Sequence, residues 1–504
     1  MMERYILSMD YGTQSVRGMV FDPQGHLLWK KKANMPEYQR PKPDWAEVDP
    51  EEYKKLTIWI CRVLQNERPD IFEKIAGISL ACMRDCVTLV DEEGKALRPL
   101  ILWLDQRRTQ TVRPKSKLLR GAASLIGAGT LLKEASQVGY TNYLMDFEPE
   151  NWKKSHKFVL LSSYLHRWLL GFFKDSTANQ AGHLPFDSSR QNWSDWRDIK
   201  HYVFPIESEK FVDLVPPGTL MGRICPQAQQ DTGLNPDVQI IAGASDKACE
   251  TLGVGCFDDS EGVLSFGSQA SVQTMSNKYY ELQQFVPAFP AAIPGCWNPE
   301  LQVYRGYWMV SWFLREMEDA SLREQEHPEE TFDTYLAKTK PGNDGLVMYP
   351  YMGASAKYPR SSGTIMGLKD YHGKAHLYRA LLEGINYTLR WAIDRMEQKK
   401  KSPILRMKVT GGGASSDMIC QMTADMFGRE TIRMETTDTT SLGAAIIGYV
   451  AIGVHRDYKT AAAQMTRPGK VFKPNPINVE IYNEFYRAYL KDLEKRIHFN
   501  EARG

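Results

Sequence analysis

The amino-acid sequence predicts an α/β protein made of two similar halves. Strand-like and helix-like segments alternate along the chain, a pattern that favours layered α/β architecture. A strand–turn–strand pattern at residues 6–20, ILSMDYGTQSVRGMV, returns in weaker form at residues 262–275 as GVLSFGSQASVQTM. The length of 504 residues exceeds what one ordinary core encloses. We therefore expect two domains, 1–252 and 253–504.

In the first half, apolar runs bounded by turn residues predict strands, and apolar residues at helical spacing predict helices. The hairpin at 6–20 leads into a loop rich in Pro, Lys and Trp. The predicted elements that follow are a helix at 51–66, strands at 75–82 and 87–91, a helix over 152–171, and a strand at 238–245 that stops at Asp246.

The second half repeats this alternation after its own hairpin at 262–275. Its later predicted elements are a strand at 406–410, the turn GGGASS at 411–416, and helices at 417–428, 441–453 and 479–497. The helix at 441–453 is rich in Gly and Ala, so we expect it to pack closely against a neighbour. The last helix is amphipathic, which is typical of a helix that covers a core.

Bulk composition excludes several classes of protein. Hydrophobic residues make up 42% of the chain and charged residues 25%, with a net charge of +2 and both signs interspersed. This balance gives no reason to expect nucleic acid or a membrane as partner. The sequence has no apolar run of about eighteen residues and no signal-peptide pattern at its start. The eight cysteines form no C-x-x-C pair, and such thiols suit the reducing cytoplasm, where we expect the protein.

Phosphate-binding motifs of the common kinds are absent: the chain has neither G-x-x-x-x-G-K-[ST] nor a proper G-x-G-x-x-G. The first hairpin turn instead carries the pattern D-x-G-T-x-S. Gly12 lets the backbone approach a phosphate closely, and Thr13 and Ser15 offer donors. Asp10 can hold Mg²⁺. The alternative is a plain hairpin turn, which Asp and Gly also suit, although a second copy at 267–268 favours a two-sided clamp on a polyphosphate.

Asp246 follows an apolar strand and a small-residue turn, where a helix is expected to start. An acidic residue at this place can simply cap the helix, which is worth roughly 1 kcal/mol. A general base for phosphoryl transfer needs the same placement, on a rigid strand end that opens into a cleft. Position alone leaves both interpretations open.

A third group of polar residues follows the strand at 75–82. Met83, Arg84 and Asp85 come directly after it, and Trp103 and the segment Asp105-Gln106-Arg107-Arg108 lie shortly beyond. Forked donors, carboxylate acceptors and an aromatic wall suit a polyhydroxylated ligand. The alternative is a strand end closed by a salt bridge.

Together these motifs and their order resemble the FGGY family of carbohydrate kinases, relatives of xylulokinase and glycerol kinase within the actin and Hsp70 ATPase superfamily. The resemblance covers nearly the whole chain. The segments that carry it are DYGTQSVRGMVFD at 10–22, DWAEVDPEEY at 44–53, LILWLDQRRT at 100–109, AGASDKACETLGVG at 242–255, SFGSQASV at 265–272, RSSGTIMGL at 360–368, GGGASS at 411–416 and SLGAAIIGYVAIG at 441–453.

The resemblance implies two domains of actin-like (ribonuclease H-like) fold, with ATP and Mg²⁺ in a central cleft. The first domain would hold most of the sugar and the second the nucleotide. Asp246 takes the role of general base, and Asp10 that of the carboxylate on the metal side. The residues implied in ATP and phosphate binding are Gly12, Thr13, Gln14, Ser15, Arg17, Gly267, Ser268, Gly412, Gly413 and Ser416. Those implied in substrate binding are Met83, Arg84, Asp85, Trp103, Asp246 and Lys247.

Several positions depart from the family pattern. Xylulokinases usually carry Gln-Met-His-Gly where this chain has Cys82-Met83-Arg84-Asp85, whereas glycerol kinases carry Arg-Glu and autoinducer-2 kinases Met-Arg-Glu. Lys247 stands where glycerol kinases have Gln, and Ser268 where Thr is commoner. Tyr307 replaces a glycine that usually lies five residues before the helix tryptophan, here Trp312.

The leading hypothesis is an ATP-dependent kinase that acts on a ketopentose such as xylulose. Glycerol or another polyol is the second acceptor class, and an autoinducer-2-type signal the third. A different class of function is a non-catalytic ATP switch in the manner of actin or Hsp70, and a sugar sensor without turnover is a further alternative. No nucleic acid or membrane is expected as partner, and a homodimer is left open.

Overall fold

The computed structural model describes residues 3–125, 127–267, 269–284, 286–303, 305–318, 328–351 and 362–503. The first half is built on a six-stranded sheet. Its strands are β1 (Tyr5–Tyr11), β2 (Ser15–Phe21), β3 (Leu27–Asn34), β4 (Ile75–Cys82), β5 (Leu220–Arg223) and β6 (Gln239–Ser245). They lie in the order β5-β6-β4-β1-β2-β3. Strands β4 and β6 run parallel to β1, and the other neighbours are antiparallel.

The second half is built on a sheet of the same design. Its strands are β7 (Glu261–Phe266), β8 (Ala270–Gln273), β9 (Glu300–Val303), β10 (Arg406–Thr410), β11 (Glu430–Met434) and β12 (Pro468–Phe472). The order β9-β8-β7-β10-β11-β12 again places three antiparallel strands beside two parallel ones and an antiparallel edge. The weak sequence repeat between the two hairpins is thus the trace of two sheets with one topology.

Helices cover both sheets. The described helices are α1 (Pro50–Glu67), α2 (Pro69–Phe72), α3 (Lys117–Leu125), α4 (Gly129–Val138), α5 (Tyr140–Phe147), α6 (Pro149–Lys154), α7 (Leu161–Leu170), α8 (Ile199–Val203), α9 (Pro226–Thr232), α10 (Asp246–Gly253), α11 (Trp308–Met317), α12 (Pro328–Ala337), α13 (Lys374–Lys400), α14 (Asp417–Phe427), α15 (Thr439–Ala451), α16 (Tyr458–Met465) and α17 (Pro476–Arg503). No helix in this described part is long and apolar enough to cross a membrane.

Short strands complete the layers. Four of them form one small sheet: Glu47–Val48, Leu100–Ile101, Val87–Val90 and Lys157–Leu160. The others pair two by two: Lys174–Ser176 with Asp213–Val215, Phe186–Asp187 with Asn192–Trp193, Phe289–Pro290 with Trp297–Asn298, and Val347–Tyr349 with Thr364–Met366.

The two halves share a core in which α10 and α15 pack against each other and against the first sheet. Leu252 of α10 and Ile447 of α15 belong to one buried cluster with Ile6 of β1. The helices approach closely because glycines lie at the contact. A Cβ atom added at Gly253 would lie 1.8 Å from the Thr439 carbonyl oxygen. The predicted close packing of the small-residue helix is confirmed, and its partner is the helix that begins with Asp246.

The helix predicted over 152–171 is wrong as a single element. Helix α6 ends at Lys154, strand Lys157–Leu160 follows, and α7 begins at Leu161. The residues from 158 to 160 are all apolar and pair with Val87–Val90, for example Val159 with Thr88. Three consecutive apolar residues are typical of a strand buried on both faces. The predicted strands at 75–82 and 406–410 are confirmed at both ends.

Candidate active site

The polar groups of the first domain leave its sheet at one edge. Because β1, β4 and β6 run parallel and are neighbours, their carboxyl ends lie side by side, which is where ligands bind in such sheets. Cys82 at the end of β4 is paired with Tyr11 on one side and Ser245 on the other. The first hairpin turn, the segment from Met83 and the start of α10 therefore converge.

The first hairpin turn, residues 12–15, presents a compact backbone loop. The Gly12 N–H donates to the Ser15 carbonyl at 3.0 Å. The Thr13 hydroxyl accepts a hydrogen bond from the Trp103 indole N–H at 2.9 Å and lies 3.5 Å from the Met83 sulfur. Gln14 is exposed, and Ser15 is buried at the start of β2. The structure thus brings Thr13, which the sequence assigned to the phosphate site, together with Met83 and Trp103, which it assigned to the substrate site.

Asp10 lies at the buried base of the same hairpin. Burial raises the pKa of Asp10 to about 6, and Arg17 opposes this shift from 3.3 Å away. Asp246, Glu250 and Asp438 also raise the Asp10 pKa. Carboxylates gathered in this way repel one another, and a bound cation would relieve that repulsion.

Asp246 is the first residue of α10, and it does not cap the helix. The Ser245 hydroxyl accepts from the Ala248 N–H at 3.4 Å and takes the capping position. The Asp246 carboxylate accepts from the Lys247 N–H at 2.8 Å. Burial raises the pKa of Asp246, while the charges of Arg84 and Lys247 pull it down. The helix-cap interpretation of Asp246 is therefore wrong, because the serine before it fills that role.

Arg84 spans the cleft between the domains. Its two terminal nitrogens lie 3.0 and 2.8 Å from the carboxylate oxygens of Glu300, which begins β9 in the second sheet. The guanidinium also stacks over the Phe289 ring, with 4.2 Å between its carbon and the ring centroid. Both charged side chains are buried, at 11% and 1% exposure. Arg84 therefore does form the salt bridge that was the alternative interpretation of this strand end, and its partner, Glu300, comes from the other domain.

Asp85 faces a different neighbour. Its carboxylate lies 3.3 Å from His183 Nδ1. A Cβ atom added at Gly182, where φ is +101°, would lie 2.1 Å from the Asp85 carboxylate. Burial alone would lower the His183 pKa, but the Asp85 charge raises it above its usual value. Asp85 and His183 thus form a second ion pair beside Arg84.

Lys247 bonds to a residue of the second domain. Its ammonium group lies 2.8 Å from the Glu250 carboxylate and 2.7 Å from the Ser265 hydroxyl of β7. Ser265 in turn donates to Glu250 at 2.9 Å. This triad ties the start of α10 to the strand that leads into the second hairpin turn.

The second domain contributes its own turns to the cleft. Gly267 follows β7, while Ser268, Arg360 and Ser361 lie outside the described residues. Gly412 is exposed, with open space where a side chain would be. Ser416 caps α14 by accepting from the Ile419 N–H at 3.1 Å, and its hydroxyl donates to Asp333.

Tyr307 packs between these two turns. Its ring lies 5.0 Å from the Phe266 ring, and its backbone N–H donates to the Gly267 carbonyl. A Cβ atom at Gly413 would lie 2.3 Å from the Tyr307 ring, so glycine is needed there. The buried Tyr307 hydroxyl has no hydrogen-bond partner within the described part of the chain.

Two domain profiles of one family cover most of the chain. The N-terminal domain of the FGGY family of carbohydrate kinases matches residues 5–253, and its C-terminal domain matches residues 262–452. The chain belongs to the FGGY family of carbohydrate kinases. This confirms the resemblance drawn from the motifs and sets aside the actin-type switch, because members of the family are sugar kinases.

Individual relatives agree with this membership. A xylulose kinase from Lactococcus lactis is 28% identical over 96% of this chain and 95% of its own. A gluconokinase from Bacillus subtilis is 24% identical over 94% and 92%. The crystal structure of a xylulose kinase from Rhodospirillum rubrum superposes with a TM-score of 0.84 at 20% identity, over 99% and 100% of the two chains. The predicted fold of two actin-like domains around a cleft is confirmed.

Sequence reasoning missed three residues of this kinase's cleft: His183, Glu250 and Glu300. Glu250 lies within the motif that carries Asp246, one helical turn after Lys247, and the i,i+3 spacing of opposite charges was a usable signal. Glu300 and His183 lie in segments without a recognisable motif. Only the packing of the second sheet and of the segment after residue 176 brings them to Arg84 and Asp85.

The carboxylates of the kinase cleft fit a Mg²⁺ ion that the protein holds through few side chains, with water and phosphate oxygens as its remaining ligands. Within the residues that the structure describes, no group of three or more His, Cys, Asp or Glu side chains is arranged to hold a metal ion. Mg²⁺ commonly uses one or two carboxylates together with water and substrate phosphates. The buried Asp10 carboxylate, with its raised pKa, suits such a site.

Proposed function

We propose that this kinase transfers the γ-phosphoryl group of ATP to a hydroxyl of a small sugar, with a ketopentose such as xylulose as the leading acceptor. The observation that carries the proposal is the placement of Asp246. It is half-buried at the start of α10, is not used as a helix cap, and stands at the sheet edge beside the first hairpin turn.

In the proposed reaction, the Asp246 carboxylate accepts the proton of the acceptor hydroxyl. The oxygen of that hydroxyl forms a bond to the γ-phosphorus as the bond between this phosphorus and the ADP oxygen breaks. Burial supports this role, because a carboxyl whose pKa is raised binds a proton more readily than a solvated one. The charges of Arg84 and Lys247 oppose this shift of the Asp246 pKa and so favour the ionised form that acts as the base.

The two hairpins are the proposed phosphate clamp. The residues assigned to it are Gly12, Thr13, Gln14, Ser15, Arg17, Gly267 and Ser268. Gly412, Gly413 and Ser416 are assigned to the nucleoside side. The open space at Gly412 supports this assignment. Bound Mg²⁺ would neutralise phosphate charge, with Asp10 on its side of the cleft.

The proposed acceptor site consists of Met83, Arg84, Asp85, Trp103 and Lys247 around Asp246. The contact of Trp103 and Met83 with Thr13 supports a wall shared by the sugar and phosphate sites. Lys247 is assigned an indirect role in the acceptor site, because its ammonium group is already bonded to Glu250 and Ser265. A polyol such as glycerol is the second candidate, since Arg84-Asp85 resembles the Arg-Glu pair of glycerol kinases.

ADP release over a panel of ketopentoses, aldoses and polyols tests the proposal. Stereochemical pairs at each hydroxyl identify the acceptor. Turnover of a ketopentose well above that of glycerol supports the leading assignment, and the reverse order supports the polyol. A panel without any turnover contradicts the proposed reaction.

Substitution of Arg84 by Lys should raise the sugar KM about tenfold while the ATP KM changes less than twofold. Glu300 occupies two of the five guanidinium N–H donors, which leaves three for sugar hydroxyls, whereas Lys keeps the charge but loses the fork. Steady-state kinetics with each substrate varied in turn would measure this. Equal effects on the two KM values would remove Arg84 from the sugar site.

Substitution of Tyr307 by Phe should raise the ATP KM severalfold, because we assign the Tyr307 hydroxyl to the nucleotide. The same change should raise the free energy of unfolding by up to about 1 kcal/mol in the free protein, since it removes a buried hydroxyl that has no partner among the described residues. Tyr387→Phe is the matched control. Its hydroxyl is also buried without a described partner, but it lies on α13 against the tyrosines of α17. An unchanged ATP KM in Tyr307→Phe would contradict the assignment.

A further inference from the structure

One ion pair in the cleft contains a residue, Glu300, to which the proposed reaction gives no role. Arg84 from the first domain and Glu300 from the second form a two-pronged pair, and both side chains are almost fully enclosed. Burial alone would raise the Glu300 pKa, but the Arg84 charge holds it below its usual value. Glu300 is therefore a carboxylate, and it neutralises the one guanidinium that lies near Asp246.

The other cation close to Asp246 is paired in the same way, since Lys247 has the Glu250 carboxylate at 2.8 Å. Beside Arg84, the Asp85 carboxylate lies 3.3 Å from the His183 ring. Arg84 and Lys247 also act on Asp246, but each is bonded to another carboxylate, so among the described residues Asp246 has no ion-pair partner of its own. This end of the cleft therefore has a negative balance among the groups named here.

We propose that Glu300 is a charge filter, which restricts the acceptor to uncharged sugars and polyols and excludes sugar acids such as aldonates. The inference rests on the proposed function, because it places the acceptor beside Arg84 and Asp246. It selects between the substrate classes named for the relatives, xylulose and gluconate.

Two physical effects produce the filter. A carboxylate in the acceptor site would be repelled by Asp246 and Glu300. The nearby cations that could attract it, Arg84 and Lys247, are already paired with carboxylates of the protein. At the Arg84 donors that Glu300 leaves free, the acid would stand close to the Glu300 charge, and displacing Glu300 instead would leave a buried carboxylate without its cation, which is strongly unfavourable. A hydroxyl faces neither penalty, because Arg84 still offers N–H donors that Glu300 does not use.

The test compares acceptors that differ only in the charge of one end. D-Glucitol with D-gluconate and xylitol with D-xylonate are such pairs, and D-xylulose is added as the leading neutral acceptor. The measurements are binding by calorimetry and ADP release with ATP. Wild-type protein should bind the neutral member of a pair. Glu300→Gln should shift the affinity ratio toward the acid by about tenfold or more, since the substitution unpairs Arg84 and removes one negative charge at short range.

Two further variants test whether a change in the affinity ratio comes from the pairing of Arg84 with Glu300. Glu300→Gln leaves Arg84 buried without its partner, so thermal unfolding must show that the variant folds. The double variant Arg84→Met/Glu300→Gln removes both charges, and its acid preference should return toward that of the wild type. Glu150→Gln breaks an exposed ion pair with Lys153 and should leave the ratio unchanged.

Each outcome decides between the two proposals. An unchanged ratio in folded Glu300→Gln, or a wild-type protein that prefers the acid, overturns the filter. Failure of both proteins to bind any member of the panel, xylulose included, overturns it too, because the acceptor site is then not beside Arg84. Binding with the expected ratio but without ADP release supports the filter and contradicts only the proposed reaction.

Discussion

Replacement of Asp246 by Asn is expected to lower kcat by about 10²–10⁴-fold, the usual range for the loss of a general base. The amide has nearly the same shape as the carboxylate but cannot accept the hydroxyl proton. Since Asp246 is assigned to the acceptor and not to the nucleotide, the dissociation constant for ATP should change less than twofold. ADP release measures kcat, and calorimetry with a non-hydrolysable ATP analogue measures binding.

Ser245→Ala is the matched control for this experiment. The Ser245 hydroxyl caps α10, so its loss should lower the free energy of unfolding by about 1 kcal/mol and reduce kcat far less than Asp246→Asn does. This result would assign a structural role to Ser245 and a chemical role to Asp246. A kcat near the wild-type value in Asp246→Asn would contradict the assignment of the base.

This pair of residues also shows what the sequence could and could not predict. An acidic residue between an apolar strand and a helix suits a cap and a base equally well, because both roles need the same position. The serine one residue earlier is an equally good cap, and only the hydrogen bond from the Ala248 N–H decides between them. The sequence identified the segment, and the structure assigned the cap.

The architecture was predictable because its signals are local. Apolar runs at 75–82 and 406–410 predicted strands, and the two hairpins predicted a repeated half. The helix over 152–171 failed because apolar residues at helical spacing hid three consecutive apolar residues that pair with another strand. Such pairing connects residues about seventy positions apart, and no local window contains it.

The acceptor site was predictable only in part for the same reason. Arg84 could be singled out as polar and placed at a strand end, but its charge is balanced by Glu300, more than two hundred residues later. A sequence motif shows which groups are present near an active site. It does not show which of them are already paired, and in this cleft we propose that the pairing of Arg84 with Glu300 selects the charge of the acceptor.

Substitution of Gly443 by Ala is expected to lower the free energy of unfolding by roughly 3 kcal/mol, the upper part of the range for overpacked cores. The added Cβ would lie 1.9 Å from the Cys249 carbonyl oxygen, and it would meet backbone that cannot rotate away. Helices α10 and α15 would have to separate, and Asp246 would move with the first turn of α10. Urea unfolding measures the stability, and kcat should fall as well.

Gly121→Ala is the control that separates packing from helix propensity. Gly121 lies within α3 with no atom close to its added Cβ, so alanine there should stabilise the protein by roughly 0.5–1 kcal/mol. If the free energy of unfolding falls for Gly443→Ala and rises for Gly121→Ala, the small residues of α15 are needed for the contact with α10. Equal stabilisation at both positions would contradict this contact. The placement of Asp246 would then depend on the first sheet alone, and the family motif at 441–453 would need another explanation.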